Sequence, residues 1–246
     1  MILTRHLPLS RKTGGAWLRV AWAGFLSVVL GVAVTGCHTA STHSAGSNPP
    51  EARDAGASDR AIIDKIATTP WLEPRDRRQS FPFAFRVTDQ NDHPITRERL
   101  QGKPFAITFL YTRCENPFKC PKVAERFGEL QAELQKRGLE GKATLLLATY
   151  DPSYDSPERF VEYAHRYQIH PDDHALLVRP DNEQKQRFFR ALDIAVNYNT
   201  GSVTIHRIQL LLFDGRGRYV RSYQSLMWDN DRVVQDLQRL TDEPLP

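Results

Sequence analysis

Cys114 and Cys120 are the residues through which this chain could do chemistry. They lie in Tyr111-Thr112-Arg113-Cys114-Glu115-Asn116-Pro117-Phe118-Lys119-Cys120-Pro121. An apolar run precedes them and a helical pattern follows. A thiol pair at such a junction sits where backbone N–H groups and the helix dipole favour thiolate over thiol. Thiolates exchange disulfides, and they bind soft metals. A purely structural disulfide here would close so short a loop that it would stabilise little. The residues alone leave exchange and metal binding both open.

The elements that must position the pair can be read from pattern. Phe105-Ala106-Ile107-Thr108-Phe109-Leu110 has the length and continuity of a strand buried on both faces. From Pro121 to Arg137, Val123, Phe127, Leu130 and Leu134 recur at helical spacing. Before the pair, Phe83 to Thr88 alternates like a half-buried strand and residues 89–94 read as a turn. After it come a buried strand over Thr144–Tyr150 and a helix opening at Ser156-Pro157-Glu158 with a good cap. A short strand, Ala175–Val178, leads to a helix over Asp181 to about Leu192. Ile205–Phe213 predicts one long strand, turned back by Asp214-Gly215-Arg216-Gly217 into Arg218–Tyr223. A last helix is predicted over about Asp231–Leu240. Alternating strands and helices with a terminal hairpin and helix predict an α/β sandwich around a mixed sheet. The cysteines then lie just beyond a central strand, where open α/β sheets place their sites.

The N-terminus accounts for the third cysteine. Arg5, Arg11, Lys12 and Arg19 make a basic lead, Val20–Val34 is largely apolar, and Val34-Thr35-Gly36-Cys37 follows. The apolar stretch is short of the roughly 20 residues a spanning helix needs, so it reads as an export signal. Its last four residues resemble the lipobox of bacterial lipoproteins. That resemblance implies a signal peptide over 1–36 and a diacylglycerol on Cys37. Residues 37–69, rich in small and polar types, read as a flexible tether, and 70–246 as one folded domain. The four leader bases account for the whole formal charge of +4: 33 basic residues less these four leaves 29, against 29 acidic. No basic stripe remains for a nucleic acid. Neither a phosphate loop, a serine nucleophile arrangement nor a dinucleotide fingerprint is present.

A strand-loop-helix bearing two cysteines, a second βα unit, then a hairpin and helix is the thioredoxin order of elements. The expected fold is a thioredoxin-like three-layer sandwich. Within that class, several strings resemble the Sco/SenC family of copper-handling proteins. They are Leu100-Gln101-Gly102-Lys103-Pro104, then Phe109-Leu110-Tyr111-Thr112-Arg113-Cys114 and Cys120-Pro121. Tyr150-Asp151-Pro152-Ser153-Tyr154-Asp155-Ser156-Pro157-Glu158 follows, and His206 stands ahead of Phe213-Asp214-Gly215. The resemblance implies one copper ion, Cu(I) or Cu(II), held by Cys114, Cys120 and His206, with Asp151 in support near the site. It also implies a metallochaperone of the periplasm-facing bacterial envelope. Its partner would be the copper-bearing subunit of cytochrome c oxidase, whose copper centre it helps assemble. The enzymatic alternative is a thiol-disulfide oxidoreductase reducing an envelope cuproprotein, with Cys114 attacking and Cys120 resolving. A peroxide-reducing thiol at Cys114 is a weaker variant of it. Thioredoxins carry a proline near the position of His206, whereas Ile205-His206-Arg207-Ile208-Gln209 has none. That tilts the site toward metal. The chain departs from the family in spacing, with five residues between its cysteines where the family has three. His165, His170 and His174 lie on a helix end and an acidic loop and read as solvated surface.

Overall fold

The computed structural model describes residues 68–200, 202–226 and 228–244, with the side chain of Ser202 left aside. The expected signal peptide, Cys37 and nearly all of the tether lie outside the described residues. The tether was expected to run to residue 69, but Thr68 already bridges Tyr223 and the Thr69 N–H donates to the Ser222 carbonyl at 2.9 Å. Their backbone groups extend a sheet edge, so these two residues belong to the domain.

In chain order the elements are β1 (Val87–Thr88), α1 (Arg97–Leu100), β2 (Phe105–Leu110), α2 (Cys120–Lys136) and β3 (Thr144–Thr149). Then come α3 (Pro157–Arg166), β4 (Ala175–Pro180), α4 (Lys185–Ala191), β5 (Val196–Asn199), β6 (Ser202–His206), β7 (Leu210–Phe213), β8 (Tyr219–Tyr223) and α5 (Asn230–Thr241). Six strands form one mixed sheet in the order β1-β4-β3-β2-β7-β8. β2, β3 and β4 run parallel, and β1, β7 and β8 pair antiparallel to their neighbours. β5 and β6 make a separate two-stranded ribbon.

Alternation along the central strands divides the core. Ala106 and Leu110 of β2 pack with Phe127 and Leu130 of α2, Phe160 of α3, and Val233 and Leu237 of α5. Phe105, Ile107 and Phe109 face the other way, onto Phe81, Phe188, Phe189 and Ile194. β2 and β3 are buried at every position, as strands covered on both faces must be. The result is the mixed α/β sandwich expected from the order of elements. Helix starts follow their caps: the Ser156 hydroxyl accepts from the Arg159 N–H before α3, and the Asp229 carboxylate from the Asp231 N–H before α5.

Several expectations need correction. Residues 83–86 are not strand: the Phe83 N–H bonds to the Phe81 carbonyl and the Phe85 N–H to the Pro82 carbonyl, coiling the segment into turns. The helix expected from Asp181 starts at Lys185, because the Asp181 carboxylate accepts from the Glu183 and Gln184 N–H groups and fixes a turn first. The single strand expected over 205–213 is broken at Arg207–Gln209, so His206 ends β6 instead of opening β7. Residues 196–199 pair with β6 and were not anticipated as strand; their alternating polar residues give little apolar signal.

One row across the sheet positions the site. Thr108 of β2 stands opposite Leu210 of β7, Leu210 opposite Tyr223 of β8, and Tyr223 opposite Thr68. The end of β2 that leads to Cys114 is thus the end where β7 begins, β8 finishes and the described chain enters.

Candidate metal centre

β2 delivers the chain to Tyr111 just past the end of the strand, and the residues Thr112–Lys119 return it to the first residue of α2. The Cys114 N–H bonds to the Tyr111 carbonyl at 3.3 Å, and the Asn116 carbonyl accepts from the Lys119 N–H at 3.1 Å. The Asn116 side chain accepts from the Phe118 N–H at 2.9 Å. These turns absorb the long spacing and bring the sulfurs together. Cys114 is half-buried and Cys120 fully buried, and both are free thiols.

His206 approaches from the ribbon side. Its Nε2 lies 3.5 Å from the Cys120 Sγ. The Cys114, Cys120 and His206 ligand atoms all lie within 4.8 Å of one another, close enough to share one metal ion. Two rings hold the imidazole: Tyr111 edge-on at 5.4 Å and Tyr150 tilted at 5.2 Å. The Tyr150 hydroxyl donates to the Arg207 carbonyl at 2.6 Å, and the Tyr198 hydroxyl to the Tyr150 carbonyl at 2.8 Å. The strand break thus fixes His206.

The electrostatics suit a metal site. Burial disfavours the Cys114 thiolate, but hydrogen bonds from the Cys120 and Asn116 N–H groups, aided by the Cys120 and Tyr111 side chains, outweigh it and lower the thiol pKa. Burial pushes the Cys120 thiol up, eased by the Tyr111 N–H and reinforced by Cys114 and Asp155. Burial, with the Lys119 ammonium, lowers the His206 pKa to about 4, leaving a neutral imidazole free to ligate. Two thiolates and an imidazole form a soft donor set acceptable to Cu(I), Cu(II) or Zn(II).

Asp151 supports the site indirectly. Fully buried, it accepts from both the Nε and a terminal nitrogen of Arg113 at 2.7 Å and from the Ser153 hydroxyl at 2.9 Å. It anchors the residue before Cys114 and touches no member of the triad. Sequence reasoning gave no role to Tyr111, Tyr150 or Asp155. Asp155 is buried, takes the Thr112 and Thr149 hydroxyls and the Thr112 N–H, and lies behind Cys120. The string Tyr150–Glu158 carried both residues, but only packing shows where they point. His165 and His170 are exposed with ring centres 6.4 Å apart, and neither joins a metal-ligating group among the described residues.

Known proteins resemble this chain in sequence and in fold. A curated Stutzerimonas stutzeri protein, provisionally named as copper-binding, is 31% identical over 143 residues, covering 56% of this chain and 62% of its own length. The chain therefore spans less than two thirds of that relative. The fold matches a SCO1/SenC family lipoprotein of Bacillus anthracis with a TM-score of 0.57 at 22% identity, over 64% of this chain and 93% of the other. It also matches Bradyrhizobium japonicum ScoI, solved with copper bound, with a TM-score of 0.54 at 24% identity, over 66% of this chain and 99% of the other. The family model described as SCO1/SenC matches residues 73–242, essentially the whole described domain. On that match, which spans more than half of its length, the chain belongs to the SCO1/SenC family.

Proposed function

We propose that this protein is a membrane-tethered copper metallochaperone of the bacterial cell envelope. It would aid assembly of the copper centre of cytochrome c oxidase. The observation that carries this reading is the convergence of the Cys114, Cys120 and His206 ligand atoms within 4.8 Å. The copper-binding name of the Stutzerimonas relative and the copper held by the Bradyrhizobium neighbour support copper as the cargo. Cys114, half-exposed and the readier thiolate, is the ligand an incoming thiolate would displace first, with the buried Cys120 released later. Reduction gates the cycle: a Cys114–Cys120 disulfide offers no thiolate, and a dithiol that supplies two electrons and two protons, itself becoming a disulfide, restores both thiols. Acylation at Cys37 would keep the domain near a membrane-bound acceptor and raise its effective concentration.

The same thiol asymmetry favours a second reading, a thiol-disulfide oxidoreductase in which Cys114 attacks and Cys120 resolves. His206 separates the two, since copper binding needs it and exchange does not. The full chain, purified reduced in detergent, should hold one equivalent of copper, and Cys114→Ala and His206→Ala should each lose it. No retained copper, with rapid exchange against a protein disulfide, would establish the second reading instead. For the anchor, Cys37→Ser should leave the membrane fraction; its continued sedimentation with membranes would exclude acylation as the tether.

A further inference from the structure

Three large apolar side chains stand exposed among the described residues: Phe118 at 80%, Ile205 at 65% and Tyr154 at 38%. Exposed hydrophobic residues scattered singly need no explanation. These three lie on the segments that carry the site: the cysteine loop, the end of β6 and the turn after Asp151. Phe118 projects from the loop between the two cysteines, and its backbone is pinned there by the Asn116 side chain at 2.9 Å. Ile205 directly precedes His206 on β6. The Tyr154 ring lies against the guanidinium of Arg113, the neighbour of Cys114, at 4.7 Å, and against that of Arg159 at 4.8 Å. Phe118 and Ile205 thus lie within two residues of Cys120 and His206 in the chain, and Tyr154 touches the neighbour of Cys114.

Charge adds a direction. Lys119 and Arg207 are exposed beside Cys120 and His206, and neither forms an ion pair among the described residues. Glu115 is the one unpaired acid of the cysteine loop, while Arg113 is neutralised by Asp151. Among the described residues these segments, the rim of the site, carry more unpaired positive than negative charge.

From this we infer that the rim is the docking surface for the protein that exchanges metal with the triad. The matching face of that partner is apolar, edged with carboxylates, and surrounds its own soft ligands. The inference rests on the metallochaperone reading. Direct ligand exchange requires both donor sets within bonding distance of one ion, and Cys120 is wholly buried. The partner must press onto Phe118 and Ile205 to reach that depth, burying them and shutting out water. A second copy of this chain fits poorly, since a two-fold contact through the rim would bring two like-charged surfaces together. Opposing carboxylates would instead raise the association rate in a salt-dependent manner.

The test uses the full chain in detergent, copper-loaded, as wild type, as the double variant Phe118→Ser/Ile205→Thr, and as Arg207→Glu. Bound copper is measured first. Transfer is then timed to two acceptors: the purified apo copper-bearing domain of a bacterial cytochrome c oxidase, and glutathione, which has no surface to dock. Wild type and the double variant should each bind one equivalent and lose it to glutathione at the same rate. Transfer to the protein domain should slow about tenfold in the double variant, the loss expected of about 1.4 kcal/mol of contact. Arg207→Glu should slow it as well and weaken its dependence on salt. Unchanged rates to the protein domain would overturn the inference, as would equal slowing toward both acceptors, which would place the effect inside the site. Wild-type transfer to glutathione but not to the domain would overturn the assigned partner. Failure of the wild type to bind copper would instead sink the metallochaperone reading itself.

Discussion

Two thiols six positions apart differ because their surroundings differ at the scale of single hydrogen bonds. Cys114 receives N–H groups from Asn116 and Cys120, whereas Cys120 is buried with Asp155 behind it. The loop that creates this difference hangs on one carboxylate. Asp151 gathers Arg113 and Ser153, so replacing it by asparagine keeps the shape and withdraws the charge. We expect Asp151→Asn to lose about 2 kcal/mol, within the range for hydrogen bonds to charged groups, measured by urea unfolding. Ser153→Ala, which removes a single hydroxyl donor to the same group, should cost less than half as much. The sequence made the thiols and His206 legible because cysteine and histidine advertise their chemistry by type. Tyr111, Tyr150 and Asp155 were illegible, since an aromatic or a carboxylate acquires a role only from what it touches.

At the scale of elements, the parallel strands were readable because burial on both faces leaves an unbroken apolar run in β2 and β3. The break between β6 and β7 was not. Residues 205–213 look uniformly strand-like, but the Gln209 carbonyl takes the Thr108 hydroxyl at 3.0 Å and the Arg207 carbonyl takes the Tyr150 hydroxyl. Side chains distant in sequence thus claim acceptors that a ladder would have used. Close packing between elements likewise overrides propensity at Gly128 in α2. Alanine in a helix is ordinarily better than glycine by about 1 kcal/mol. A Cβ at Gly128, however, would meet the backbone carbonyl of Tyr167 at 2.5 Å, a contact no rotamer can relieve. Gly128→Ala should therefore destabilise by about 1–3 kcal/mol, seen as a lower thermal midpoint, and an increase would contradict the packing.

Across the described domain, a buried ion cluster ties the segment before β1 to the turn after β7 and to the residues after α5. Arg77, with no exposed side-chain surface, donates to Asp214 at 3.0 Å and to Glu243 at 2.6 Å. Arg77→Met should cost about 3 kcal/mol, the low end for a broken buried pair because Arg218 still holds Asp214. The cluster also sets an acid limit. Burial opposes ionisation of Asp214, yet the Arg218 N–H and guanidinium, with Arg77, hold its pKa below the ordinary 3.8. A depressed carboxyl stabilises fully above its unfolded value and loses that contribution as pH falls through the folded one. The stability difference between wild type and Arg77→Met should accordingly shrink on acidification below about pH 4, as Asp214 protonates. Equal differences at pH 7 and pH 2.5 would show that Asp214 is not coupled to Arg77. The entry point of the domain has a mechanical meaning of its own. Thr68 meets Tyr223 at the end of the sheet that bears the cysteines, and the chain then runs along β8 away from that end. Any pull on the chain upstream of Thr68 is therefore borne first by the Thr68 pairing with Tyr223 and the Thr69 N–H bond to the Ser222 carbonyl, at the cysteine end of the sheet.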